Sequence, residues 1–451
     1  MSPAPASVDG SRRRRYRLAP GAEVSGTIAV PGDKSISHRA LMLGGIAEGD
    51  TEVRGFLESG DCLATLAALQ ALGVAMERPA PERVIVHGAG LRGLRGPAAP
   101  LDLGNAGTAM RLCMGLLAGQ PFDSTLVGDE SLMRRPMERV AQPLRLMGAR
   151  IATENGRPPV RIAGGDRLVG IDYPLPVASA QVKSAILLAG LSASGRTRVT
   201  EPAPTRDHTE RMLAAFGVEV GRSGATVSLE GGQPLRGASI EVPGDFSSAA
   251  FFLVAGCLRG RLVLENVGVN PTRTGLLELL RRMGADIDVR SAGGGAGESG
   301  AAEPRADLTV RAGALRGIEV PLELVPLAID ELPVFFVAAA CAEGETVVRG
   351  AQELRVKESD RLAVMAEGLA ALGVEHELLP DGLVIRGRGG FEGGTVDSHG
   401  DHRIAMAFAV ASLRASAPIE VVDVANVSTS FPGFLATARG AGMRIEELGC
   451  G

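Results

Sequence analysis

The sequence predicts an α/β fold made of six copies of one supersecondary unit, shared between two halves of the chain. Three observations carry this. An apolar, helix-spaced stretch followed by Gly and a strand-like segment recurs around Gly73, Gly148, Gly217, Gly284, Gly373 and Gly442. Successive glycines lie 75, 69, 67, 89 and 69 residues apart, so the repeating unit is about 70 residues long. A second repetition, PGDKS from Pro31 and PGDFS from Pro243, marks two chain crossings.

The units read LQALGVAM, LRLMGARI, LAAFGVEV, LRRMGADI, LAALGVEH and, more weakly, ARGAGMRI. In each, the Gly suits the left-handed residue that ends a helix. The 89-residue interval contains SAGGGAGESG, residues 291–300, expected to be an inserted loop. Gly295, Gly297 and Gly300 there fit GxGxxG, but AAEPRADLTV follows, with Pro304 and a strand pattern. A dinucleotide site needs strand, Gly turn and then helix, so this match is set aside. No Walker-type P-loop occurs. PGDKS and PGDFS each follow a strand-like run, GTIAV and ASIEV, and precede an apolar helical stretch. The crossings place residues 31–243 in one domain and 1–30 plus 244–451 in the other. Basic motifs scattered along the chain would then meet in an interdomain cleft, a common ligand location.

Bulk composition narrows the function classes. The chain has 451 residues, 45% hydrophobic and 22% charged, and so can bury more than one core. No run of about 18 apolar residues spans a membrane. Residues 1–17, with Arg12 to Arg15, lack a secretory apolar core and are expected to be a loose tail; a transit segment is the alternative. A net charge of −5 argues against a general nucleic-acid binder. Cys62, Cys113, Cys257, Cys341 and Cys450 have neither metal nor redox spacing, which suggests reduced thiols in a cytoplasmic protein. The six histidines have no metal-ligand spacing either. Of 47 basic residues only Lys34, Lys183 and Lys357 are lysines. Arg stays protonated whereas Lys can transfer a proton, so a Lys that survives this bias is a candidate for proton chemistry.

Seven segments could carry chemistry. In DKSISHRALM, Lys34, Ser35 and Arg39 could surround an anion at a helix start; the alternative is a capped helix with a solvated basic face. LGNAGTAMRL turns at Asn105 to Thr108, where Gly107 lets backbone approach a ligand, or is an ordinary cap. LMRRPMERV sets Arg134 and Arg135 before Pro136. ASAQVKSAILLAGL offers Ser179 and Gln181 at the mouth of an apolar helix, and TRDHTERM offers Arg206 and Asp207. In AIDELPVFF, Asp330 and Glu331 are paired carboxylates that invite a raised pKa and base chemistry, or a cap. LRVKESDRLAVMAEGL puts Lys357 and Arg361 on one helix face beside Glu358 and Asp360, as an ion-pair ladder or an acid/base cluster. GDHRIAMAFAV opens a helix with Asp401, His402 and Arg403. Many cations with two carboxylates on an acidic chain suit two anionic substrates and proton transfers between them.

PGDKSISHRA, LGNAGTAMR, RRPM, SAQVKSA, RVKESDRL and DHRIAMA together resemble the signature segments of the 3-phosphoshikimate 1-carboxyvinyltransferases, over about Val30 to Pro432. The resemblance implies two domains of three βαβαββ units each, an inside-out α/β barrel, with the active site between them. It implies enolpyruvyl transfer from phosphoenolpyruvate to the 5-hydroxyl of shikimate 3-phosphate, by a monomer without cofactor, metal, nucleic-acid or membrane partner. Shikimate 3-phosphate would be held by Lys34, Ser35, Arg39, Ser179, Ala180, Gln181, Arg206, Asp330 and Lys357. Phosphoenolpyruvate would be held by Lys34, Gly107, Arg135, Gln181, Arg361 and Arg403. Asp330 would accept the hydroxyl proton, Glu358 would protonate the methylene, and Lys34 would assist. Inhibition by glyphosate in the phosphoenolpyruvate site would depend on Gly107. Leu112, Ala180, Glu353, Leu354 and Thr429 depart from one branch of the family, which has Pro, Ser, Asn, Trp and Lys there. The rivals are a UDP-N-acetylglucosamine enolpyruvyltransferase and a non-catalytic anion binder. The former usually carries Lys-Asn at the first motif and a loop Cys, whereas this chain has Lys34-Ser35 and no Cys in residues 128–136. Lys183, two residues past Gln181, is expected to be structural rather than catalytic.

Overall fold

The computed structural model describes residues 14–165, 167–291 and 302–449. The GxGxxG glycines, Cys450 and all of the expected inserted loop except Ser291 lie outside the described residues.

The six repeat glycines all have positive φ, from 76° to 103°. Each stands two residues beyond a helix, which ends at Ala71, Leu146, Ala215, Arg282, Ala371 or Gly440. A left-handed residue there frees the chain to turn back as a strand, and Gly alone adopts it without a Cβ penalty. Each of these strands lies in a different small sheet, and the described residues form six sheets. Five share one order: a parallel edge pair, then two antiparallel strands. The sixth keeps only isolated parallel bridges at its edge, Arg316 to Glu343 and Glu319 to Val347, beside strands Glu343–Val348, Gly382–Arg388 and Glu375–Leu379.

The N-terminal segment departs from expectation. Arg15–Leu18 is a strand, paired on one side with Ile419–Val422 and on the other with Ile445–Leu448. It fills the central slot that each other sheet takes from its own repeat. Tyr16 and Leu18 point inward and are buried, whereas Arg17 is exposed. This is the period of two that a half-buried strand requires, and the arginine run obscured it.

Six helices are buried nearly all round: Lys34–Ile46, Gly107–Ala118, Ala180–Gly190, Phe246–Leu258, Leu332–Cys341 and His402–Ala411. A helix apolar on every face must sit inside. The sheets therefore wrap around helices, inverting the usual barrel. The buried apolar residues form two separate clusters. One runs from Ile36 to Val242; the other joins Tyr16–Val30 to Phe246–Ile445.

The two crossings lie side by side. Asp33 N–H donates to Pro243 O at 2.9 Å, and Asp245 N–H donates to Pro31 O at 2.8 Å. A Cβ on Gly32 would lie 1.8 Å from Gly55 O, so only Gly fits. Asp33 and Asp245 each cap the helix that follows, accepting from Ile36 and Ser247 N–H. Arg273 is buried between them. It is paired with Asp33, and donates to Asp245 Oδ1 at 2.8 Å and to Ser247 Oγ at 2.6 Å. Burial works to raise the Asp33 pKa, but Arg273 and then His208 outweigh it and hold the carboxyl low.

Removing one member of a buried ion pair leaves the other uncompensated, at a cost of about 3–5 kcal/mol. Arg273→Gln is expected to lower unfolding stability by roughly that amount. Arg54→Gln breaks an exposed pair that solvent screens, and should leave stability nearly unchanged. Denaturant melts of both variants check this. Because Asp33 is held below its unfolded pKa, its contribution is present above that pKa and is lost as pH falls through the folded value.

Candidate active site

The N-termini of four of the six buried helices supply much of the site. Lys34, Ser35, Gly107, Thr108, Gln181, His402 and Arg403 all lie in first turns and line one cavity of about 70 Å³, along with Asp330 and Glu358. A second cavity of about 310 Å³ adjoins it and shares Gln181, Arg206, Asp330 and Lys357. Ser179, Ala180, Val177 and Ile329 also line it. Helix N-termini present free N–H groups and positive potential, so both cavities favour anions. The smaller cavity is strongly polar. The larger has an apolar wall, suited to a ring.

Cations and carboxylates from the two apolar clusters interlock across the cavities. Asp330 is paired with Arg206, and Lys357 Nζ and Arg361 Nη1 each lie 3.4 Å from its Oδ1. Arg403 Nη1 donates to Asp330 O at 2.8 Å. Burial acts to raise Asp330, but Lys357, Arg206, Arg403 and Arg361 outweigh it and hold the carboxyl well below the usual range. Glu358 lies 2.6 Å from Arg361 Nη2 and 3.4 Å from Arg135 Nη1. Burial is again overcome by Arg361 and Arg135, and Glu358 is held low too. Lys34 Nζ lies 2.9 Å from Asp61 Oδ2. Arg111 Nη1 donates to Gln181 Oε1 at 2.7 Å, and Gln181 Nε2 donates to Thr108 Oγ1 at 3.0 Å. Burial, with Arg139 and Arg135 alongside, pushes Arg111 down to about 9.

Comparison with known proteins gives this arrangement a family. The profile of EPSP synthase (3-phosphoshikimate 1-carboxyvinyltransferase) matches residues 18–437. The chain belongs to the EPSP synthase family. A 3-phosphoshikimate 1-carboxyvinyltransferase of Methylococcus capsulatus is 60% identical over 437 residues, 96% of this chain and 98% of that protein. One from Halorhodospira halophila is 61% identical, over 96% and 97%. The solved EPSP synthase of Acinetobacter baumannii superposes with a TM-score of 0.85 at 52% identity, covering 96% of this chain and all of that one. The two-domain, inside-out α/β fold of the EPSP synthases is therefore the fold of this chain. Among the described residues, no single helix is long and apolar enough to cross a membrane.

The residues carried over from the EPSP synthase motifs do not all reach the cavities. Lys34, Ser35, Gly107, Arg135, Gln181, Arg206, Asp330, Lys357, Glu358 and Arg403 line the smaller one, and Ser179 and Ala180 line the larger. Arg39 lies behind them, bonded to Thr209 Oγ1 at 2.7 Å, Ser184 Oγ at 2.9 Å and Ser35 O at 2.9 Å. Arg361 is 1% exposed and reaches the site through Glu358 and Asp330 while anchored on Asp401. The expected shared helix face for Lys357 and Arg361 is not found. The helix begins at Arg361, capped by Asp360, and Lys357 follows a 3-10 turn, Gln352–Val356. The expected raised carboxyl falls on Glu331 rather than Asp330. Burial raises Glu331 against Arg403, Arg206 and Arg273, whereas Asp330 faces the cations directly. Asp61, Arg111, Arg139 and His402 also line the smaller cavity. Of these only His402 was singled out from the sequence.

Lys183 lies outside both cavities. It is fully buried between Glu201, at 3.0 Å, and Glu210, at 2.6 Å. Lys183→Gln leaves two buried carboxylates without their cation. A stability loss of about 3–5 kcal/mol is expected, with turnover per folded molecule near wild type. Denaturant melts and active-site-normalised rates check this pair of outcomes. A stable variant with lost turnover would make Lys183 catalytic.

Proposed function

We propose that this chain transfers the enolpyruvyl group of phosphoenolpyruvate to the 5-hydroxyl of shikimate 3-phosphate, releasing phosphate. The observation that carries the reading is the union of Lys34, Arg135, Arg206, Lys357 and Arg403 with Asp330 and Glu358 at one pair of adjoining cavities. Two anions and two proton transfers call for such a set. The larger cavity takes shikimate 3-phosphate, with Ser179, Gln181, Arg206, Lys357 and Asp330 as ligands and its apolar wall against the ring. The smaller takes phosphoenolpyruvate, on Lys34, Arg135, Gln181 and Arg403. Arg39 and Arg361 act by holding the neighbours they bond. The protein works as a cytoplasmic monomer, and its two domains are residues 31–243 and 1–30 plus 244–451, closing on the first substrate.

Asp330 takes the proton of the 5-hydroxyl, and Glu358 protonates the methylene carbon. The adjacent carbon becomes electrophilic and the hydroxyl oxygen attacks it, giving a tetrahedral phospho-adduct. The Glu358 carboxylate, freed by its earlier transfer, then takes a proton from the methyl group as phosphate leaves, forming the enolpyruvyl ether. The cations stabilise the charge that develops. Glu358 is held ionised by Arg361 and Arg135. An anion that engages these cations reduces their pull, so the carboxyl pKa rises and Glu358 becomes able to carry a proton. Substrate charge thereby helps to load the acid.

Phosphate release should be rapid with phosphoenolpyruvate plus shikimate 3-phosphate and absent with UDP-N-acetylglucosamine as acceptor. The reverse preference would contradict the assignment. Asp330→Asn and Glu358→Gln should each lower kcat by about 10²–10⁴-fold while leaving the fold intact. Near-normal turnover would remove that residue from the mechanism.

Gly107 bears on inhibition by glyphosate. A Cβ there would lie 2.8 Å from Arg135 Nη1 and 3.2 Å from Arg111 Nη1. Both contacts are flexible side-chain ends, so Gly107→Ala should fold with Arg135 displaced. Wild type should be inhibited competitively with phosphoenolpyruvate, and Gly107→Ala should lose more inhibitor than substrate affinity, because phosphoenolpyruvate is the shorter molecule and steric clash rises steeply with overlap in a rigid pocket. Inhibition constants for both proteins decide it.

A further inference from the structure

Arg139 and Glu353 have no part in the chemistry above, yet they form a contact across the cleft. Arg139 lies in the first turn of helix Glu138–Leu146, four residues past Arg135. Glu353 lies in the 3-10 turn Gln352–Val356, five residues before Glu358. Arg139 Nη1 donates to Glu353 Oε1 at 2.8 Å and to Oε2 at 3.1 Å. Both side chains are about three-quarters buried, at 28% and 24% exposure. The pair runs alongside Arg135 and Glu358, which meet at the longer distance of 3.4 Å. It joins segments 214 residues apart, one beside each apolar cluster.

We infer that Arg139 and Glu353 form a clasp that positions the segment carrying Lys357 and Glu358 against Arg135. The inference rests on the proposed reaction. In that reaction Arg135 turns to the incoming anion, and its hold on Glu358 weakens. Arg139 and Glu353 are bonded to each other and can keep the two segments together while this happens. Glu353 also lines the larger cavity and Arg139 the smaller, so the clasp borders both. Both are positioning residues. Losing the clasp shifts the closing equilibrium and reduces apparent affinity by the same factor, while the chemistry of the closed state is retained.

The test is a double-mutant cycle on steady-state kinetics with Arg139→Gln, Glu353→Gln and the double variant. Each single change should raise KM for shikimate 3-phosphate by about 3–10-fold, in keeping with a partly exposed ion pair. The kcat should stay within about 2-fold. The double variant should cost no more than either single one, because both changes break the same contact. KM effects that multiply, an unchanged KM in both singles, or a fall in kcat at constant KM would each overturn the clasp. Wild-type turnover of shikimate 3-phosphate in the same assay separates failure of the clasp from failure of the reaction assignment. Thermal melts confirm that each variant is folded, and a poorly folded Gln variant is replaced by Arg139→Lys or Glu353→Asp, expected to retain a weakened clasp with a smaller KM rise.

Discussion

Arg273, buried between Asp33 and Asp245, ties together the two places where the chain passes from one apolar cluster to the other. Each Asp does three things at once. It pairs with Arg273, caps the helix that follows it, and donates its N–H to a backbone carbonyl of the other crossing. Lys34 N–H donates in turn to Asp245 Oδ2 at 3.1 Å, so the first residue of one helix is bonded to the cap of the other. Everything in the cleft inherits this reference point. Three buried helices lie in each apolar cluster, and the N-termini of four of the six carry residues that line the cavities.

The cleft is a set of cations already engaged by carboxylates. Arg206 and Lys357 meet Asp330; Arg135 and Arg361 meet Glu358; Lys34 meets Asp61. Buried cations without partners would be costly, and these carboxylates hold them in place. The same pairs keep Asp330 and Glu358 ionised, which suits the base role proposed for Asp330 and opposes the acid role proposed for Glu358. In the proposed reaction, anionic substrates resolve the conflict by competing for the guanidinium groups. Charge exchange of this kind, in the proposed reaction, couples binding to proton loading.

The repeat was legible because its marker is local: a helix end that turns through a left-handed residue calls for Gly, and all six glycines adopt that conformation. The N-terminal strand was not, since Arg15–Leu18 pairs with residues more than 400 positions away and its alternation is brief. The same holds in the site. Lys34, Gln181 and Arg403 announce themselves at helix starts. Arg273, Asp61 and the pair Arg139–Glu353 acquire their roles only from partners distant in sequence. Asp330 and Glu331 show the limit of reasoning from neighbours: two adjacent carboxyls face opposite environments, one among cations and one in the interior, and their shifts have opposite signs. Arg39 and Arg361 match the family motifs but stand behind the cavity wall, where their hydrogen bonds orient other residues.

Proton uptake on ligand binding tests most directly the idea that substrate charge loads the acid. It can be measured calorimetrically by binding both substrate-site ligands in buffers of different ionisation enthalpy, for wild type and Glu358→Gln. The ligands' own phosphate groups exchange protons equally in both proteins, so the difference isolates Glu358. The account predicts greater uptake by wild type than by Glu358→Gln. Equal proton exchange in the two proteins would show that Glu358 stays ionised in the complex and would contradict the account.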